Sequence, residues 1–310
     1  MILTVTLNAA LDITYRVREL RPQTSHRVSE VVERPGGKGI NVARVLAALG
    51  HRVTVTGFAG GLTGRTVREL LARAPGPLVD TLVPVAGATR RTVSVLDPAA
   101  DDATLLNEPG PAVTPAEWAA LQVVYRDLLP AARAVALCGS LPPGVPVGAY
   151  AHLVREARAA GVPVLLDTSG EPLRRGVAAR PDLLKPNAEE LAELTGSHDP
   201  PQAARDARRR GARTVVASLG AEGLMAIGPE GHWRAAPPRR LRGNPAGAGD
   251  SVVAGLLSGL VDGLPWPERL ARAAALSAAT VASPAAGEFD RPLYEELLGR
   301  VRVSEAAPAG

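Results

Sequence analysis

The chain has 310 residues, 46% of them hydrophobic and 21% charged, so it is long enough to bury a large core and too apolar to be disordered. Thirty-five basic and 31 acidic residues leave a net charge of only +4, and two Phe, four Tyr and three Trp are too few for a protein that stacks nucleic-acid bases. A single cysteine, Cys138, excludes an internal disulfide framework and a multi-cysteine zinc site.

In chain order, the apolar runs 3–7, 53–58, 135–138, 162–167, 183–185 and 214–219 read as strands. Helical patterns near 39–49, 64–74, 115–129, 147–160 and 188–195 fall between them. The rhythm predicts an α/β fold with a doubly wound, mostly parallel sheet covered by helices on both faces. Residues 249–302 read as Ala- and Leu-rich helices broken at Pro265 and Pro267, and the tail 304–310 as frayed. Two segments, 13–34 and 89–107, alternate as half-exposed antiparallel strands do. They predict either a small second sheet, placed as a lid, or edge strands of the main sheet. The basic run 205–213 reads as a solvated helix end before Gly211, and the five histidines show no metal-ligand spacing. The first residues carry no basic lead of a signal peptide, and no run of about 18 apolar residues exists to cross a membrane. The cytoplasm is the expected compartment, with neither membrane nor nucleic acid as partner.

Only two of the 35 basic residues are lysine, and only five residues are asparagine. Lys38 and Asn41 share GGKGIN, Lys185 and Asn187 share LKPN, and Asn8 and Asn244 lie in TLNAALD and RGNPAGAGD. A drift towards Arg that spares these positions hints that they are constrained. The strongest chemical signal is Gly243-Asn244-Pro245-Ala246-Gly247-Ala248-Gly249-Asp250 running into an apolar helix. A small-residue loop feeding a helix presents open amides and the positive end of the helix dipole, which suits a phosphate. Asp250, ionised by that field, is a candidate base for a hydroxyl attacking phosphorus. A capping Asp after a structural loop is the alternative. In the glycine loop before Asn41, Lys38 is followed by Gly39, so it is not a Walker A loop, and no G-x-G-x-x-G follows the first strand. Asn187 and Glu190, three apart at a helix start, suit Mg²⁺ held through water or, equally, a capping box.

GGKGINVARVLAALG and NPAGAGDS resemble the paired signatures of the PfkB, or ribokinase-like, sugar kinases. TLNAALD, CGSLPPGVP, LDTSG, KPNAEEL and SLGAEG lie between them in that family's order, and the set is similar to the 1-phosphofructokinase branch, with tagatose-6-phosphate kinase close by. The resemblance implies one kinase domain, 1–310, with a lid formed by about 12–34 and 89–107. It implies ATP-dependent phosphorylation, in the leading reading of fructose 1-phosphate to fructose 1,6-bisphosphate. Asp250 would be the base, and Gly247, Ala248 and Gly249 the anion hole. Asp12, Gly37, Lys38, Asn41 and Ser140 would hold the sugar, and Lys185, Asn187, Ser218, Gly220, Gly223 and Gly249 the ATP. Asn187 and Glu190 would organise Mg²⁺, and a monovalent cation such as K⁺ is a further expected cofactor. A phosphorylated sugar needs a second anion site, for which Arg27 and Arg90 on the presumed lid strands are candidates.

The chain departs from the family pattern at Ala9, Thr92, Ser94 and Ala246, and Arg91 is a candidate to compensate for Ser94 at the substrate phosphate. Alternatives are a tagatose-6-phosphate kinase, a 6-phosphofructokinase, or a sugar-phosphate-binding regulator without turnover. An exposed lid sheet would offer an edge for a homodimer.

Overall fold

The computed structural model describes residues 1–97, 102–237, 239, 243–283 and 285–305. In chain order, β1 (Ile2–Thr6) leads into β2 (Ala10–Arg16) and β3 (Glu30–Gly36), followed by α1 (Lys38–Ala48), β4 (Val53–Ala59), α2 (Gly61–Ala72) and the short β5 (Leu78–Asp80) and β6 (Val83–Pro84). After β7 (Arg90–Asp97) and β8 (Asp102–Asn107) come α3 (Pro115–Leu128), β9 (Ala134–Cys138), α4 (Ala149–Ala159), β10 (Val164–Asp167), α5 (Gly170–Ala178), β11 (Leu183–Leu184), α6 (Ala188–Thr195) and α7 (Pro200–Arg209). The rest is β12 (Thr214–Ser218), β13 (Leu224–Gly228), β14 (Gly231–Ala236), α8 (Ala248–Val261), α9 (Trp266–Val281), α10 (Arg291–Leu298) and β15 (Arg302–Glu305).

The main sheet has the order β15-β14-β13-β12-β11-β10-β9-β1-β4-β5, with β6 paired to β4. It is parallel from β5 to β12 and antiparallel beyond. Alternation along β1 explains its central place: Leu3 and Val5 join one core and Ile2 the other, so both faces are covered. One core is filled by α1, α8, α9 and α10 through residues such as Ile40, Val253, Leu276 and Leu297. The opposite core is filled by α3 to α7 through Leu121, Leu153, Val177, Leu191 and Ala204. From β1 the chain order runs outward to β4 on one side and from β9 on the other. The crevice between β1 and β9 is therefore the switch point at which sheets of this kind bind ligands.

The two irregular segments form a separate four-stranded sheet, β3-β2-β7-β8, in which β2 and β7 are parallel; they are not edge strands of the main sheet. Their strands begin nearer the main sheet than expected, since β2 starts at Ala10, two residues after Asn8. Residues 17–29 lie outside any strand, so Arg27 sits on an exposed connection and not on a lid strand. The expectation of a frayed end also needs correcting. Arg302–Glu305 pairs with β14, with Ser304 opposite Arg234, and 306–310 lie outside the described residues. The β13–β14 hairpin escaped the sequence reading because LMAIG is a short apolar run with no turn signature of the usual two-residue kind. The basic run does end a helix, with Arg208 and Arg209 in the last turn of α7.

Candidate active site

Two glycine-capped helix starts meet at the switch point. α1 begins after Gly37 (φ 103°) and α8 after Gly247 (φ 81°), and neither has a side-chain cap, so first-turn amides stay open. α1 approaches β1 so closely that a methyl group at Gly39 would lie 2.3 Å from Thr6 Oγ1. At Gly247 the left-handed backbone and Ala286 Cα, 2.8 Å from a methyl group placed there, both demand glycine. The Ala248 amide donates to Pro245 O at 3.2 Å, so it is turned away from an incoming anion. By position, Gly249 and Asp250 carry the outward amides of this turn.

Asp250 is buried, and Asn41 Nδ2 of α1 donates to its Oδ2 at 2.8 Å. Burial pushes the Asp250 carboxyl up to about 7, helped by the nearby charge of Asp167 and opposed by Asn41, Lys38 and Lys185. Desolvation thus outweighs the helix field that was expected to hold it fully ionised. Asn41 Oδ1 is buried without a partner among the described residues.

The carboxyl ends of the parallel strands form a polar row beside this pair. Asn8 Nδ2, after β1, donates to Ser140 Oγ, after β9, at 3.1 Å. At the end of β10, Asp167 Oδ1 accepts a hydrogen bond from Lys38 Nζ at 3.2 Å and forms an ion pair with Lys185 Nζ at 3.5 Å. Burial disfavours the Lys38 charge, but Asp167, Asp250 and Glu190 together hold its ammonium above the usual lysine range. The sequence places Asp167, in LDTSG, at the carboxyl end of a strand where such sheets bind ligands, and assigns it no individual role. An aspartate ending an otherwise apolar strand, at the edge where ligands bind, is the signal that could have found it.

The small sheet rises from the same edge. Asp12 on β2 lies opposite Arg34 and Thr92, and burial raises its carboxyl to about 6 despite Arg90, Thr92 and Arg44. Arg90 is half-buried and donates through Nε to Asn8 O at 3.2 Å. Arg27 has no hydrogen bond or ion pair among the described residues, and nothing joins it to Arg90. Arg91 grips Glu108 through Nε (3.0 Å) and Nη2 (2.6 Å), which commits the guanidinium proposed to compensate for Ser94.

On the other side of Asp250 lies a cavity of about 650 Å³ bordered by Asn187, Ser218, Gly220, Gly223 and Gly249, all expected there, and by Ala274, Ser277, Ala278 and Val281 of α9. The α9 residues carry no motif and are found only in the fold. Lys185 is not part of its lining but stands behind it: a methyl group at Gly249 would be 3.6 Å from Lys185 Nζ. Asn187 and Glu190 form a complete capping box, each side chain bonded to the other's amide at 2.8 Å. Among the described residues, no group of three acidic, His or Cys side chains could enclose a metal, so a divalent ion here would need phosphate and water ligands.

A doubly wound sheet that gathers open amides, two ammonium groups and a basic carboxylate at its switch point has the architecture of a phosphotransferase. The chain belongs to the pfkB family of carbohydrate kinases, whose sequence profile matches residues 5–292. It is 42% identical over 287 residues to a 1-phosphofructokinase of Rhodobacter capsulatus, covering 89% of this chain and 90% of that one. A structure described as a possible 1-phosphofructokinase of Thermotoga maritima superposes with a TM-score of 0.86 at 26% identity, over 99% of both chains. Phosphofructokinase-2 of Escherichia coli, solved with fructose-6-phosphate, with potassium and as an inhibited tetramer, gives TM-scores of 0.87, 0.89 and 0.87 at 28% identity, over 96% of this chain and 98% of that one. The chain is thus a sugar-phosphate kinase, and its family implies ATP and a divalent metal. No helix among the described residues is long and apolar enough to cross a membrane.

Proposed function

We propose that this kinase phosphorylates fructose 1-phosphate to fructose 1,6-bisphosphate with MgATP. The observation that carries the reaction is Asp250, a buried carboxylate of raised basicity beside an open helix start, between the sugar row and the nucleotide-sized cavity. As the sugar hydroxyl oxygen attacks the terminal phosphorus of ATP, its proton passes to Asp250, the bond to ADP breaks, and the amides around Gly247 and Gly249 face the growing charge. Asp12, Gly37, Lys38, Asn41 and Ser140 hold the sugar, and Arg90 binds the phosphate it already carries. Lys185, Ser218, Gly220 and Gly223 serve the nucleotide. Asn187 and Glu190 organise Mg²⁺ through water, for which Glu190 keeps its second oxygen.

The choice of fructose 1-phosphate is supported by the Rhodobacter relative, and a 6-phosphate acceptor is the second reading, favoured by the Escherichia coli structure with fructose-6-phosphate. ADP release across fructose 1-phosphate, fructose 6-phosphate, tagatose 6-phosphate, fructose and ribose tests both, and the expected result is the highest kcat/KM for fructose 1-phosphate. Faster turnover of a 6-phosphate would replace the first reading by the second. K⁺ as activator and a cytoplasmic site belong to the same proposal. So does a homodimer through the small sheet, whose Val31, Leu105 and Leu106 are 57%, 56% and 58% exposed. A single kinase domain, with that sheet as lid, completes it.

A further inference from the structure

The chain's two lysines reach one carboxylate oxygen from different elements. Lys38 opens α1 on the sugar side, Lys185 follows β11 behind the Gly249 turn, and Asp167 Oδ1 lies 3.2 Å and 3.5 Å from the two ammonium nitrogens. Asp167 has little freedom to move, because β10 is paired on both sides and its side chain is 1% exposed. Its Oδ2 is buried with no partner among the described residues, so both ammonium groups share a single oxygen. The two ammonium groups, faced by Asp167 and by Asp250, stand next to the open amides of α8, and together these donors suit the spot through which an anionic phosphoryl group has to pass.

The lysine usage has the same explanation. An ammonium can keep one donor on Asp167 and aim its other two elsewhere, whereas a guanidinium would bring five donors in a rigid plane into a site where Lys185 is 4% exposed. We propose that Asp167 is a positioning residue that holds Lys38 and Lys185 on either side of the transferring phosphoryl group. This rests on the reaction proposed above, and wild-type turnover of fructose 1-phosphate tests that reaction first.

The second test needs no turnover. Lysine labelled with ¹³C at Cε in the untagged chain gives two side-chain signals, and Asp167→Asn is expected to shift both. The kinetic expectation is a fall in kcat of about a hundredfold, the scale of a misplacement by an ångström, with both KM values changed less than about fivefold. Removing the Asp167 charge also withdraws a group that raises Asp250, which otherwise faces Asn41, Lys38 and Lys185, so the acid limb of kcat/KM moves to lower pH. The limb follows the Asp167 charge whatever its role, whereas a structural role alone would lower Tm and leave kcat of the folded enzyme and both lysine signals in place. If Asp167→Asn does not fold, Lys185→Gln keeps the carboxylate, and the remaining Lys38 signal is expected to shift because the two ammonium groups share one oxygen. The proposal is overturned by an unmoved Lys38 signal in Lys185→Gln, by a shift of one signal or neither in Asp167→Asn, or by Asp167→Asn turnover within twofold of wild type.

Discussion

α6 and α8 begin with the same arrangement, an acid three residues after the N-cap, and put it to opposite uses. In α6 the N-cap is Asn187, whose Oδ1 takes the Glu190 amide while Glu190 Oε2 takes the Asn187 amide, so the helix start satisfies itself. In α8 the N-cap is Gly247, which has no side chain to offer, and Asp250 bonds instead to Asn41 of another helix. The comparison teaches that an acid at the third position caps or stays available according to the residue at the N-cap. Gly247 is kept as glycine by its left-handed backbone and by Ala286 behind it.

The largest effect that would break this contrast is loss of the free acid. Asp250→Asn is expected to reduce kcat about a thousandfold or more while sugar-phosphate binding persists, read by steady-state kinetics and calorimetry. Its stability should move the other way. Burial raises Asp250 from 3.8 to about 7, so the folded chain retains a proton that the unfolded chain releases. The contribution of this carboxyl to stability is therefore full below about 4 and is lost as pH rises through about 7. The neutral Asn removes that loss, and Tm at pH 8 is expected at or above the wild-type value.

Filling the N-cap comes next: Gly247→Ala meets both an unfavourable φ and Ala286, and should cost about 1–3 kcal/mol by denaturant unfolding and lower kcat/KM for ATP. A smaller and sharper effect is the pH profile, in which kcat/KM rises through pH about 7 as Asp250 loses its proton. Asn41→Leu removes a hydrogen bond that favours the carboxylate, so this limb should shift upward. The smallest effect is a control on the capped kind of helix start: Thr114→Ala breaks the capping box of α3 and should cost about 1 kcal/mol with kcat unchanged.

The small-residue loops GGKGIN and NPAGAGD were legible because open helix starts need glycine, and glycine is conspicuous in a sequence. The cavity wall from α9 was not, since Ala274, Ser277 and Ala278 are typical of any packed helix. Arg27 lies on the connection between β2 and β3 where a lid strand was expected, and the engagement of Arg91 was hidden for another reason. Whether an arginine is free depends on what stands opposite it, and Glu108 faces Arg91 only because β7 pairs with β8 in that register.

By itself, the sequence determined the doubly wound class and the glycine loops that carry Lys38, Asn41 and Asp250, because periodicity and glycine placement are local properties of the chain. Tertiary structure alone decided which acid caps its own helix and which bonds to another, and that two lysines from different elements share Asp167. Those outcomes depend on burial and on partners brought from other elements. In a buried site, desolvation and a neighbour within 4 Å decide a carboxylate's charge, and neither is written in the residues adjacent to it.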